Sequence, residues 1–253
     1  MPHLLFVDSK GNEVDRIIGF ISPSEYLLRI EDIAKNQNTL NDYLDRYEKG
    51  DVSEDIIAGI AIKYEDRKEN DKAAKFYSVL IKNYPDPSSI YYQQGKFFLA
   101  SHKFNLGNEN ALKDYVVDNP DSPFHFDAYR IMVYHYADTA NKEKELSTYR
   151  EMLSRFPDDP NTLNSYAWRM AELEINLDDA LLKARKAVML TVANLKQQAG
   201  IIDTEAEVLW KLKRYEEAIA AIEKAIAIEP ENQYFRDQKE KFIESKQTKI
   251  KSI

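Results

Sequence analysis

Four histidines, His3, His102, His125 and His135, are the side chains of this 253-residue chain best suited to hold a metal or move a proton near neutral pH. Their spacing supports neither. No pair stands in the HExxH arrangement that puts two imidazoles on one helix face. His125 and His135 are ten positions apart with Asp127 between them, and that set alone describes no site. The carboxylate pairs Asp158–Asp159 and Asp178–Asp179 fall at turns and helix starts, where capping and the helix dipole account for them. No Gly-rich phosphate loop, nucleophile elbow or Ser/His/Asp order stands out. The chain has no cysteine, which removes disulfides, thiolate-bound zinc and thiol catalysis. The expectation is a chain that is not an enzyme, with no catalytic residue, no metal and no cofactor.

Composition narrows the partners. A formal charge of −8 and a pI near 5.2 disfavour nucleic acid and anionic membranes, which need clustered Lys and Arg. No apolar run approaches the roughly 18 residues of a membrane helix. The segment after Met1 lacks a basic n-region and does not read as a signal peptide. The expected compartment stays open: cytoplasm, or periplasm if a leader lies upstream. Few Gly (7) and Pro (9) among 31% charged residues suit helices joined by short loops.

The elements follow from local patterns. Leu4–Val7 and Glu13–Ile18 flank the turn formers Asp8-Ser9-Lys10-Gly11-Asn12, which predicts a β-hairpin. Ser22, Pro23 and Glu25 spell a capping box at a helix start, with Tyr26, Leu27, Ile30 and Ile33 on its apolar face. From about Leu40 onward strand signals vanish, and four prolines punctuate the helices: Pro85, Pro120, Pro157 and Pro230. The first three lie about 35 residues apart and the last gap is about twice that, so a further unit fits inside it.

The last unit, residues 202–230, closely resembles a tetratricopeptide repeat, with Leu209, Tyr215, Ala218, Ile222, Ala225 and Pro230 at the motif positions and Lys213 where Gly is usual. Weaker copies fit at about 54–87, 89–122, 126–159 and 161–194. The second is degenerate, with Gly95 and Asn108 where Leu and Ala are usual. The third carries Glu145 at a small-residue position. The fourth has Thr191 in place of the closing proline and is expected to have a longer junction through Gln197-Gln198. The resemblance implies a mostly α, TPR-like superhelix: about five helical hairpins over residues 49–253, closed by a capping helix from about Glu231 to Thr248. It further implies a groove lined by the first helix of each pair, toward which Gln93, Phe97, Arg130, Tyr134, Arg169, Asp203 and Trp210 project. A mixed aromatic and Arg lining suits a protein or peptide partner. The terminal helix or the hairpin could instead fill that groove. The Lys/Asn/Arg clamp with which some members of this class grip a chaperone C-terminus is missing, since Ala58, Ile62, Gln94, Asp127 and Ile131 occupy its positions.

Residues 1–48 resemble a second family. Pro2, Leu5-Phe6-Val7-Asp8, Gly11, Glu13-Val14, Arg16, Gly19-Phe20 and the helix start Pro23–Leu28 are similar in order to the C-terminal third of a thioredoxin fold, with Pro2 at the cis-proline position. That resemblance implies a bacterial thioredoxin–TPR protein, of which this chain would lack the Cys-x-x-Cys half. The expected function is therefore a non-catalytic interaction scaffold. The alternative is a fragment of a thiol–disulfide oxidoreductase or chaperone. Pairing of two copies through the unpaired hairpin edge is the third expectation.

Overall fold

The computed structural model describes residues 2–251, among which two strands and thirteen helices are formed. The chain divides into two units, one up to His135 and one from Tyr136.

The first unit opens with β1 (His3–Val7) and β2 (Glu13–Ile18), antiparallel, with Leu5 opposite Arg16. Asp8 builds the turn: its Oδ1 accepts from Lys10 N and Asn12 N at 2.8 and 2.9 Å, and Gly11 takes φ +83°. Helix α1 (Pro23–Ala34) starts at the capping box on Ser22 and Glu25, as its sequence predicts. Then come α2 (Leu40–Glu48), α3 (Glu54–Asp66), α4 (Asn70–Asn83), α5 (Ile90–Asn105), α6 (Ala111–Asp118) and α7 (His125–Asp138), the last running into the second unit.

The hairpin docks on α3 through charge. Asp15 is fully buried; Lys63 Nζ donates to both its carboxylate oxygens at 2.9 Å, and Arg29 of α1 pairs with it as well. Arg16 donates to Asp66 O at 3.0 Å and Arg67 to Val14 O at 3.3 Å. Ionic partners on two helices thus hold a hairpin that would be marginal alone. The isomer of the bond before Pro2 involves Met1 and lies outside the described residues.

Deeper in this unit, Ile57, Ala58, Ala61, Ala73, Tyr77, Leu80 and Phe98 form a core between α3, α4 and α5. Gly95 belongs there for a steric reason: a Cβ on it would lie 3.1 Å from the Tyr77 ring. The tyrosine that fills this repeat occupies the space a Leu would need.

The second unit comprises α8 (Lys142–Arg155), α9 (Pro160–Leu173), α10 (Leu177–Leu190), α11 (Leu195–Lys211), α12 (Tyr215–Ile228) and α13 (Gln233–Lys251). Helix pairs α9/α10 and α11/α12 pack closely, and α13 packs on α12. Ala167, Ala180, Ala184, Ala206, Ala218 and Ala225 are all fully buried, which lets the backbones approach. The junction after α10 is shorter than the sequence suggests. Asn194 caps α11 by accepting from Gln197 N at 3.2 Å, so Gln197 and Gln198 lie inside the helix. The capping helix likewise begins two residues later than expected and runs further.

One backbone feature recurs. The turn between consecutive helices holds a left-handed residue at Lys68 (φ +58°), Gly107 (φ +98°), Ala140 (φ +54°), Glu174 (φ +53°) and Lys213 (φ +61°). This is why the repeat ordinarily carries Gly there, and four non-glycine residues bear the cost.

Candidate interaction surfaces

In the first unit, α6 is the anomaly. The other second helices, α4, α8, α10 and α12, are each 14 residues long, and α6 is 8. After the left-handed residue, α4 and α12 begin two positions on, at Asn70 and Tyr215. Helix α6 begins four on, because Asn108-Glu109-Asn110 forms a turn instead, with Asn108 Oδ1 accepting from Asn110 N at 3.2 Å. That late start accounts for two of the six missing residues; the other four reflect a shorter spacing, 13 positions from Gly107 to Pro120 against 17 from Lys68 to Pro85 and from Lys213 to Pro230. Two adjoining clefts of about 280 and 290 Å³ run between α5 and α6, and Lys96, Tyr115, Asp118 and Asn119 line both. Gln93 and Tyr92 border the first, Lys103 and Asp114 the second. The Tyr115 hydroxyl bonds with Ser122, and burial pushes this phenol up from its ordinary value.

The sequence-predicted residues of this unit divide. Gln93 is half-buried at the cleft, its amide donating to Pro87 O at 2.8 Å. Phe97 turns inward, stacked 5.1 Å from Phe124 and tilted against Tyr115 at 5.8 Å. On α7, Arg130 is exposed, and its bond to Asp127 at 2.8 Å stays within its own helix. Tyr134 is 57% exposed. A third cavity of about 410 Å³ lies between α2, α3 and α5, bordered by Tyr43, Arg46, Asp55, Ile62, Lys63 and Tyr91.

In the second unit the corresponding residues are consumed. Arg169 clamps Glu145 with two bonds of 2.5 and 3.2 Å, which explains how a carboxylate that is almost fully buried can replace a small residue on α8. These bonds also raise the Arg169 guanidinium above its ordinary value. Asp203 accepts from the Tyr234 hydroxyl of α13 at 3.2 Å on Oδ2, while its buried Oδ1 has no hydrogen-bond partner. Burial pushes its carboxyl up to about 6. The Trp210 indole donates to Ser245 at 2.9 Å, lies 6.1 Å from the Phe242 ring, and has Lys241 Nζ 4.2 Å from its centroid. Lys241 reaches on to Glu207 at 2.5 Å. Helix α13 therefore covers the α11 positions that the repeat pattern assigns to a groove.

Sequence reasoning missed Lys96, Lys103, Tyr115 and Asp118 as cleft residues. The signal was there, in the degeneracy of the second repeat at Asn108. It also missed the Asp15–Arg29–Lys63 cluster, whose members are dispersed along the chain.

The family model of the tetratricopeptide repeat matches residues 200–232, which take in α11 from Gly200 onward, its turn, α12 and the start of the following turn. These residues are similar to a tetratricopeptide repeat. Among solved structures, a chain of the APC/C hetero-tetramer Cut9–Hcn1 is similar at 17% identity and TM-score 0.51, over 89% of this chain and 40% of that one. YrrB, a TPR protein with an unusual peptide-binding site, matches at 14% identity and TM-score 0.49, over 78% and 97%. TTC0263, a thermophilic TPR protein of Thermus thermophilus, matches at 19% and TM-score 0.41, over 76% and 99%. No curated protein matches the chain. The fold is that of helical-repeat proteins, mostly α with a small β-hairpin. Among the described residues, no helix is long and apolar enough to cross a membrane and no group of three potential metal ligands converges.

Proposed function

We propose that this chain is a non-catalytic interaction module that binds a protein or peptide segment in its first unit, along α5 and α7. One observation carries the reading. The positions that repeat logic turns outward are spent on other helices in α9 and α11, whereas in the first unit Phe97 packs inward, Gln93 and Arg130 bond only locally, and Tyr134 is exposed. Beside Gln93 the shortened α6 leaves an open cleft with polar and aromatic walls. A bound segment would find Tyr134 as an aromatic anchor, the Gln93 amide for its backbone, and Lys96 and Arg130 for its acidic or carbonyl groups. On the resemblances given above, we read residues 49–253 as the repeat domain and residues 1–48 as a thioredoxin-like segment in front of it.

Peptides selected on the full chain from a random library test this. Binding should fall by about tenfold or more in Tyr134→Ala and in Lys96→Glu, the loss typical of an interface anchor. It should be unchanged in Leu182→Ala, an exposed position on α10. Equal binding by all three variants would remove the site from α5 and α7.

A further inference from the structure

The N-terminal piece carries several exposed apolar side chains. Leu4, Leu5, Val7, Phe20, Leu27 and Leu28 are between 48% and 93% exposed, and α1 has no buried residue. Along β1 the side chains alternate between faces, Leu4 on the face of the buried Asp15 and Ile17 and Leu5 and Val7 on the other, so both faces of this edge strand carry exposed apolar groups.

The backbone beside them is also unsatisfied on one side. Pro2 O accepts from Gly19 N at 2.9 Å and Asp8 N donates to Asn12 O at 2.9 Å, so both ends of β1 bond toward β2 at even-numbered residues. Antiparallel pairs alternate between bonded and non-bonded positions. His3, Leu5 and Val7 therefore turn their N–H and C=O groups away from β2, toward an open edge. The far side of β2 is not equivalent, since Val14 O is taken by Arg67.

We propose that β1 pairs with β1 of a second copy of this chain across a two-fold axis, giving a four-stranded antiparallel sheet flanked by the exposed Leu27 and Leu28 of each α1. Charge selects this occupant. The chain is acidic overall, yet His3-Leu4-Leu5-Phe6-Val7 contains no Asp, Glu, Lys or Arg. The charged neighbours Glu13, Asp15 and Arg16 are all engaged within the unit. Two copies therefore meet through a neutral strip, and an antiparallel self-pairing centred on Leu5 sets Leu5 against Leu5 and His3 against Val7 with no like charges opposed. Such an interface is isologous and closes on itself. This pairing is independent of the peptide site on α5 and α7.

Sedimentation of the full chain over a micromolar concentration series reads the pairing. The wild type should sediment as a dimer. Leu5→Lys and Leu5→Glu should each sediment as monomers with unchanged circular dichroism, because each places like charges on the two-fold axis. Mixed in equal amounts they should recover the dimer mass. Amide exchange at Leu5 should be slow in the dimer and fast in either variant alone. A monomeric wild type, a dimer that persists in Leu5→Lys, or a mixture that stays monomeric would each overturn the proposal.

Discussion

Helices α5 and α11 occupy the same place in their respective repeats, yet their outward residues behave differently. Gln93 bonds a carbonyl 6 residues away and Arg130, on the next first helix, a carboxylate 3 away. Arg169, Asp203 and Trp210 bond partners 24, 31 and 35 residues away on other helices. A local hydrogen bond can be exchanged for one to a ligand without disturbing the packing. A bond to a distant helix is part of what holds that helix in place. The same pattern of residue types thus yields available side chains in the first unit and structural ones in the second.

The contrast can be broken most forcefully at Arg169. Both tryptophans, Trp168 and Trp210, lie in the second unit, so their fluorescence during denaturation follows that unit. Arg169→Ala strands the Glu145 carboxylate in the interior and should cost about 3–5 kcal/mol. Adding Glu145→Ala should return most of that loss, because the buried charge goes with its partner. Trp210→Ala should cost about 3 kcal/mol by removing the ring between Phe242 and Lys241; a loss below about 0.5 kcal/mol would mean that α13 does not depend on it.

Asp203 gives the comparison a pH dependence. Its folded carboxyl titrates at about 6 against an ordinary 3.8, with Tyr234, Glu207 and Lys241 around it. The folded state then binds the proton more tightly than the unfolded one. Stability should fall as pH rises from about 4 to about 6 and stay lowered above, by at most about 3 kcal/mol. Asp203→Asn should flatten this slope in melts between pH 4 and 7 and be the more stable protein at neutral pH. A wild-type slope of the opposite sign would mean that the carboxylate is stabilised where it sits.

Smaller effects test what the units share. Lys68 and Lys213 adopt the same left-handed turn, one in each unit. Replacing either by Gly should raise stability by about 0.5–1 kcal/mol through relief of that conformation, in thermal melts followed by circular dichroism. Smallest of all, Tyr134→Ala should move stability by no more than about 0.5 kcal/mol, as for an exposed position, while weakening peptide binding by about tenfold or more. A large loss of stability there would place Tyr134 with Trp210 rather than apart from it.

Much of this architecture was legible in the residues because its causes are local. The capping box at Ser22, the Asp8 turn, the alternation of β2 and the apolar spacing of the helices each depend on residues within a few positions of one another. The repeat period adds the small residues Ala180, Ala184 and Ala218, whose burial follows from their place in the motif. Even the departures were informative: Gly95, Asn108, Glu145 and Lys213 each mark a place where the structure does something different.

The sequence by itself determined the helices, their caps, their repeat and the absence of thiol chemistry, since periodicity, cap chemistry and composition act over a few residues or over none. Only the tertiary structure decided which outward side chains are available. It set Asp15 between Arg29 and Lys63, laid α13 over Asp203 and Trp210, gave Arg169 to Glu145, and left α5 open beside a short α6. Those outcomes hinge on partners brought together from distant positions, and a local pattern carries no record of what will pack against it.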